Sequence, residues 1–403
     1  MKILTKLLVI LLFAICFTLI NSCKNTSNQD YNWYKGNLHM HSLWSDGDSY
    51  PEYAIEWYKT HDYNFVGLTD HNTVAEGDKW KTISETDIQQ QAFDSYINKY
   101  GKNQLKYKIE NERTIVKLKT YEEYNDILEE KGKFLILHSE EISDNSEGKP
   151  IHLNAINIQN YIEPQGGINI IDALQQNINA VEKQKEELSI PIITIINHPN
   201  FGFAFSDNEL IPLNNARFIE FYNCHPSVIN KGDSDHISTE EIWDNTNISY
   251  IKHNKALIYG IASDDAHTFL QFEKEYANPG RGWIMVKSDK LNPPAILNSM
   301  ENGDFYSSSG VYLKRLNVKN NKLTISVDSK PGIKYQILFI GAYKRDTKAR
   351  ILKKTNTGSS KFKLKENLLY VRAKIISNKQ KQNSIYEMEY EEAWTQPVVY
   401  QEK

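Results

Sequence analysis

The sequence predicts an α/β fold: a distorted parallel barrel of about seven strands with its site on one rim, followed by a small β-sandwich. Three observations predict it. From residue 33 to residue 311 short apolar runs alternate with helical stretches, the pattern of a parallel α/β architecture. Several of those runs end in His, Asp or Glu, which gathers polar groups at strand C-terminal ends, where such barrels carry their chemistry. Past Gly310 the pattern changes to short runs with partial two-residue alternation and turn residues between them, as in a sandwich. A doubly wound open sheet also alternates, but it focuses ligands at one switch point and does not collect donors from many strand ends.

Lys2 and Lys6 flank the start of an apolar run, Leu7 to Ile20, that ends at Ile20-Asn-Ser-Cys23. This is the layout of a bacterial export signal, and the run falls short of the roughly 20 apolar residues of a membrane span. Ser22-Cys23 looks like a lipoprotein processing site, with a plain secretory signal as the alternative. Residues 1–23 are therefore read as a lipoprotein signal peptide, Cys23 as the lipidated first residue and 24–32 as a polar tether. The expected location is outside the cytoplasm, on a membrane through the Cys23 lipid, facing the periplasm or the cell surface. With Cys16 removed and Cys23 acylated, Cys224 is the remaining thiol, so the fold stands on its apolar core and not on disulfides. The chain carries 47 basic and 51 acidic residues, net −4, and implies no basic face for nucleic acid.

The first strand leads into His39-Met-His41, and Ser49-Tyr-Pro-Glu52 then has the form of a capping box before a helix from about Tyr50 to His61. Phe65-Val-Gly-Leu-Thr69 reads as a buried strand tipped by Asp70-His71. Residues 72–132 are polar and mostly helical in pattern, an inserted helical layer over the site. Lys133 to Leu137 is an apolar strand with Glu140 and Glu141 just past it, and Ile151-His152-Leu-Asn-Ala-Ile156 follows a Gly-containing turn. Asn169 to Leu188 is an amphipathic helix, and Pro191 to Ile196 a β-branched strand ending at Asn197-His198-Pro199. Arg217 to Tyr222 and Ala256 to Ile261 are further strands, the second ending at Asp264-Asp265-Ala-His267. The boundary to the β-sandwich, residues 316–403, falls near 312–316.

Two histidines at i and i+2 on a strand share a face, so His39 and His41 project together, and Asp46, just before a Gly turn, can fold back towards them. With His71, Glu141, His152, His198, Asp265 and His267 they make nine donors, more than one ion takes. Imidazole suits Zn, Fe or Mn and carboxylate suits Mn, Mg or Zn. Nine donors, one of them a bridging carboxylate, fit three divalent ions. Such a cluster supplies a metal-bound hydroxide at neutral pH and clamps the attacking and leaving oxygens of a phosphoryl group.

These motifs resemble the PHP family, named for its polymerase and histidinol phosphatase members. The matching pieces are His39-Met-His41-Ser-x-x-Ser-Asp46-Gly, Thr69-Asp70-His71, Glu141-Ile142-Ser143, His152, Asn197-His198-Pro199 and Ser263-Asp-Asp265-Ala-His267, in that order. The resemblance implies a distorted (β/α)7 TIM-like barrel over 33–311 and a centre of three divalent ions (Zn, Mn or Fe). It implies one ion on His39, His41 and Asp265, a second on His152 and His198 with Glu141 bridging the two, and a third on Asp46, His71 and His267. Glu141 and Asp265, not Glu140 and Asp264, fit the family's spacing, and Ser139 stands where the family usually has Gly. The paired aspartates, His152-Leu-Asn and Phe305-Tyr-Ser-Ser-Ser-Gly310 look most like the branch containing carbaryl hydrolase.

Among the remaining residues, Asp70 is read either as orienting a ligand histidine or as a turn aspartate. Arg281, in Pro279-Gly-Arg-Gly-Trp283, is read either as a phosphate or carboxylate clamp or as a surface arginine in a Gly-rich turn. His225, at a strand end, is read either as touching substrate or, in preference, as a structural histidine, and Cys224 as a buried structural residue. The leading function is a metal-dependent hydrolase of a small phosphomonoester. The same centre cleaving a carboxylic ester or carbamate is the first alternative. A surface-anchored glycan-binding lipoprotein with an inactive barrel is the second, with Tyr370, Tyr386, Tyr390 and Trp394 as its aromatics.

Overall fold

A computed structural model describes residues 31–83 and 87–402. The signal peptide 1–23, with Cys23, and most of the tether 24–32 lie outside the described residues. Among the described residues no helix is long and apolar enough to cross a membrane. The described chain opens with β1 (Asn32–Asn37), α1 (Pro51–Thr60) and β2 (Phe65–Leu68). An insertion follows with β3 (Trp80–Thr82), α2 (Asp87–Tyr100), β4 (Tyr107–Glu110), β5 (Arg113–Lys117) and α3 (Tyr121–Leu128). Then come β6 (Leu135–Ser146), β7 (Lys149–Ile156), α4 (Ile170–Leu188), β8 (Ile193–Ile196) and the short α5 (Asp207–Leu210). The chain continues through β9 (Phe218–Asn223), α6 (Thr239–Lys252), β10 (Tyr259–Ser263), β11 (Trp283–Ser288), α7 (Pro293–Glu301) and β12 (Phe305–Ser308). The C-terminal strands are β13 (Leu313–Val318), β14 (Lys322–Val327), β15 (Tyr335–Tyr343), β16 (Arg350–Thr355), β17 (Ser359–Lys363), β18 (Leu368–Gln380) and β19 (Tyr390–Thr395).

Thirteen strands form one sheet in the order β10-β9-β8-β7-β6-β2-β1-β11-β12-β19-β18-β15-β16. The fold is mixed α/β, and this corrects the parallel expectation. β1–β2, β2–β6, β8–β9 and β9–β10 are parallel, whereas β6–β7–β8 and β1–β11–β12 are antiparallel. The reason lies in the turn between β6 and β7. Glu147 and Gly148 both adopt positive φ, 53° and 74°, the tight two-residue hairpin whose twist matches its strands. β7 thus returns beside β6 with no crossover helix.

The run from β10 to β12 encloses one apolar cluster to which each of its strands or its immediate extension contributes, among them Leu38, Phe65, Leu137, Ile195, Phe218 and Phe305. α7 adds Ile296, Leu297 and Met300 to it. The outer strands of the run are linked by a side chain: Ser307 Oγ on β12 accepts from Ala262 N–H at 3.0 Å and donates to the Gly260 carbonyl at 2.9 Å on β10.

Three local expectations differ from the structure. The N-cap of α1 is Tyr50, with no side-chain cap bond. Ser49 Oγ donates to Asp48, and Glu52 accepts from Tyr96 and Lys119 instead. The stretch 72–132 holds an antiparallel sheet, β3-β5-β4, as well as its helices. Asn111 and Glu112, both at positive φ (48° and 65°), turn β4 into β5, and the alternation on either side of them is a hairpin pattern. The C-terminal strands divide between two sheets, and one of these is continuous with the main sheet: β19 pairs with β12, so β15, β16, β18 and β19 extend it. Over its face lies the β13-β14-β17 sheet, whose Leu323, Ile325 and Val327 pack with Phe339, Val371 and Ile375. Of the four C-terminal aromatics, Tyr370 and Trp394 are buried in the core and Tyr390 is exposed.

Candidate metal centre

The site forms where the ends of β1, β2, β8 and β10 meet the middle of the β6–β7 hairpin. Beyond β1, Leu38 and Met40 enter apolar clusters while His39 and His41 face the other way. Met40 bridges to Ala266, and His41 N–H donates to the Ala266 carbonyl at 2.8 Å, which seats this segment against the one carrying Asp265 and His267. The Asp46-Gly47 turn then closes onto His41. A Cβ at Gly47 would stand 2.6 Å from the His41 carbonyl carbon, so only glycine permits the approach. The antiparallel pairing puts Ser143 opposite His152 and Glu141 opposite Asn154, so β7 delivers His152 to the same rim.

The structure brings all nine predicted donors together. Glu141 is central. Its Oε1 lies 3.1 Å from His152 Nδ1, 3.4 Å from His39 Nε2 and 3.5 Å from His198 Nε2. Its Oε2 lies 2.8 Å from His71 Nδ1 and 3.6 Å from His41 Nε2. Asp265 Oδ1 stands 3.1 Å from His41 Nε2 and 3.2 Å from His39 Nε2. The exposed Asp46 stands 3.4 Å from His267 Nε2, 3.5 Å from His71 Nε2 and 3.7 Å from His41 Nδ1. Four overlapping groups each bring their donor atoms within 4.8 Å of one another: His41-Asp46-His71-His267, His39-His198-Asp265, His39-His41-Glu141 and His71-Glu141-His152. The sharing differs from the implied one in that His41 also joins the Asp46 group, and His71 shares Glu141 with His152. His198 (φ 22°) and Asp265 (φ 50°) hold left-handed backbone, which non-glycine residues adopt at a cost that the surrounding structure must offset.

Each pair of adjacent acids divides its work. Glu140 turns away from the donors and accepts from Ile162 N–H at 2.8 Å. Asp264 binds the Pro279–Gly282 turn through the amides of Gly280, Arg281 and Gly282, at 2.8, 2.7 and 2.7 Å, and accepts from Tyr58 at 2.9 Å. Asp70 touches no ligand histidine. It accepts from the amide and hydroxyl of Ser42 at 2.8 and 2.7 Å and from those of Ser45 at 3.1 and 2.5 Å, and so shapes the loop that carries Asp46. Arg281 is placed differently from a clamp. It is buried, and its guanidinium donates to the carbonyls of Glu273, Tyr276 and Asn383 and to the side chains of Asn278 and Asn383.

The sequence reading missed Glu220. Buried on β9, it accepts from His39 Nδ1 at 2.8 Å, Ser263 Oγ at 2.5 Å, Asn223 Nδ2 at 2.9 Å and the His198 amide at 3.2 Å. A carboxylate that takes the Nδ1 proton of a histidine leaves Nε2 free to ligate and fixes the ring. The available signal was a lone acid inside the apolar run Phe218-Ile-Glu-Phe. Asn197 plays a matching part, donating to Glu141 Oε1 at 2.7 Å.

The electrostatics ask for positive charge. Against burial, His152, His39 and His71 hold Glu141 well below the usual carboxylate range. Against burial, His39, His41 and His267 do the same for Asp265, and His267 and His71 for Asp46. Burial, with His267 and His71 beside it, pushes His41 down to about 3. Buried carboxylates persist only beside compensating charge, which protonated imidazoles or metal cations provide. The donor atoms themselves fit cations. His39 Nε2, His41 Nδ1, Glu141 Oε2 and His152 Nδ1 are buried within the donor set and form no hydrogen bond, as suits atoms that would ligate an ion and not pair with each other.

No protein-family model matches the chain, and no curated protein matches it significantly. Solved structures similar to it include PHP-like metal-dependent phosphoesterases. A two-domain protein from Bacteroides vulgatus, described as containing a predicted PHP-like metal-dependent phosphoesterase, is 14% identical over 91% of this chain and 96% of its own, with a TM-score of 0.40. A Bifidobacterium adolescentis protein, assigned as a metal-dependent phosphoesterase, is 10% identical over 68% of this chain and 96% of its own, TM-score 0.32. An amidohydrolase from Chromobacterium violaceum, solved with sulfate and no metal, is 11% identical over 67% of this chain and 96% of its own, TM-score 0.30.

Proposed function

We propose that the chain is a metal-dependent hydrolase that cleaves a small phosphomonoester at a centre of three divalent ions, Zn, Mn or Fe. The carrying observation is Glu141, whose two oxygens face separate sets of imidazoles, as a bridging carboxylate does. Bound there, the ions would supply an activated water at neutral pH and neutralise charge on the reacting phosphoryl group. The protein's own groups hold the ligands in place: Glu220 fixes His39, Asn197 steadies Glu141, and the Asp265 carbonyl accepts from His267 Nδ1 at 2.9 Å, which leaves its Nε2 free. The strands from β10 to β12, joined through Ser307, are read as the wall of a distorted barrel around this centre.

One observation favours the second reading, cleavage of a neutral carboxylic ester or carbamate. Arg281 gives its guanidinium to carbonyls and side-chain oxygens, so it does not answer an anionic substrate. A screen of the metal-loaded chain against phosphomonoesters, aryl esters and carbamates decides between them. We expect phosphomonoester turnover that a chelator abolishes and added divalent metal restores. Turnover of aryl esters or carbamates alone would move the function to the second reading, and chelator-insensitive turnover would refute both.

Export and anchoring through Cys23 complete the proposal. Cys23→Ala is expected to leave the precursor unprocessed at this position or to release the protein from the membrane fraction. Unchanged mature mass and detergent partitioning would refute the anchor.

A further inference from the structure

His225 lies at the edge of the donor set and outside it. It follows the end of β9, and its ring stands 5.4 Å from that of His267 and 6.1 Å, edge to face, from that of Phe201. Phe201 in turn packs 5.2 Å from His198, so the two rings stand together along one flank of the donor set. The position is tied to the centre. The His225 amide donates to Asn223 Oδ1 at 2.8 Å, and the same asparagine donates through Nδ2 to Asp265 Oδ2 at 3.0 Å. The Ser227 amide donates to His225 Nδ1 at 3.1 Å. An Nδ1 that accepts leaves the proton of the neutral ring on Nε2. The residue is half-buried, and its Nε2 takes part in no hydrogen bond among the described residues. A rigidly held N–H therefore stands beside the centre with its donor uncommitted, in contrast to Arg281.

We propose that His225 is a substrate-binding residue, its Nε2–H donating to a non-bridging oxygen of the phosphoester lying over the donor cluster. The inference rests on the phosphoesterase reading and adds to it a contact that belongs to the chain and to none of the nine donors. Phe201 is the apolar wall against which the rest of the substrate packs.

The test compares the metal-loaded wild type with His225→Phe, which keeps a ring against Phe201 and His267, and His225→Gln, which keeps an N–H near the Nε2 position. The readouts are metal content and calorimetric binding of inorganic phosphate. We expect unchanged metal content in both variants. Phosphate should bind at least about ten-fold more weakly to the Phe variant, as for loss of a hydrogen bond to a charged group, and within about three-fold of wild type to the Gln variant. Equal binding by wild type and His225→Phe would overturn the inference and leave the phosphoesterase reading standing. Equal weakening in both variants would show that ring shape and not the donor matters, and metal loss in either would make His225 part of the ligand scaffold; each overturns the proposal. A metal-loaded wild type that binds no phosphate would overturn the phosphoesterase reading, and this inference with it.

Discussion

Glu141→Gln is expected to strip at least one metal equivalent from the purified chain and to collapse turnover, while the fold persists. The carboxylate lies within 3.6 Å of five separate imidazoles: His39, His41, His71, His152 and His198. The amide keeps its shape, and the Asn197 Nδ2 donor, 2.7 Å from Oε1, keeps an acceptor. What would disappear is the negative charge between the two sets of imidazoles, and cations held there would repel each other more strongly where water is excluded. Removing a residue that merely orients a ligand costs about 10- to 100-fold in metal affinity or activity, so if Glu141 bridges as proposed, its loss should exceed the upper end. Glu140→Gln is the internal control. It changes the neighbouring residue in the same way, but on the opposite face of β6, where Oε1 accepts from Ile162 N–H and an amide oxygen does the same. Its metal content and turnover should stay near wild type. Elemental analysis and steady-state rates check both variants beside thermal unfolding. Metal loss in Glu140→Gln alone would place the bridge one residue earlier, and full metal in both would remove the case for a shared carboxylate.

The donors were legible because each stands where local geometry is simple. His39 and His41 share a face by the two-residue period of extended chain, whereas Glu141 and Asp265 were told from Glu140 and Asp264 by the spacing of the PHP-family resemblance. The C-terminal tips of apolar runs supplied His71, His198 and His267 with no knowledge of how the runs pair. What stayed hidden depends on pairing. A parallel and an antiparallel neighbour impose much the same apolar pattern on a buried strand, so the β6–β7 hairpin changed the sheet without changing the sequence reading. The turn residues Glu147-Gly148 were the available clue. Glu220 was overlooked because a buried acid is recognised by the partners that satisfy it, and His39, Ser263 and Asn223 reach it from 181, 43 and 3 residues away. Arg281 failed as a clamp for the same reason: its acceptors include Asn383, 102 residues on, beyond the range of any local motif.

Arg372→Met is expected to cost the protein about 3–5 kcal/mol of stability, the usual penalty for stranding one member of a buried ion pair. Arg372 is fully buried on β18. Its Nε and Nη2 reach Asp244 Oδ1 and Oδ2 at 2.7 and 2.6 Å, and Nη2 also reaches Glu240 at 2.9 Å. Asp244 and Glu240 lie on α6, so these contacts tie that helix to β18 of the C-terminal strands. Methionine fills most of the space but leaves the Asp244 carboxylate with the Tyr370 hydroxyl at 2.6 Å as its remaining neutral partner. The double variant Arg372→Met, Asp244→Leu removes both charges and should recover much of the loss, because a buried pair replaced by apolar side chains forfeits little. The pH dependence has a definite sign. Against burial, Arg372 and Lys374 hold Glu240 down to about 2, below the roughly 4.3 of an unfolded chain. A carboxylate depressed in the folded state binds fewer protons than in the unfolded state. Its contribution is therefore complete above about pH 4.3 and is lost as the pH falls towards 2. The Arg372→Met variant should show a shallower loss across that window, having already lost the larger of the two attractions. Denaturant unfolding of the three proteins at neutral and acid pH measures all of this. A single variant as stable as wild type, or a double variant no better than the single, would mean that α6 and β18 are held by apolar packing and not by this buried charge.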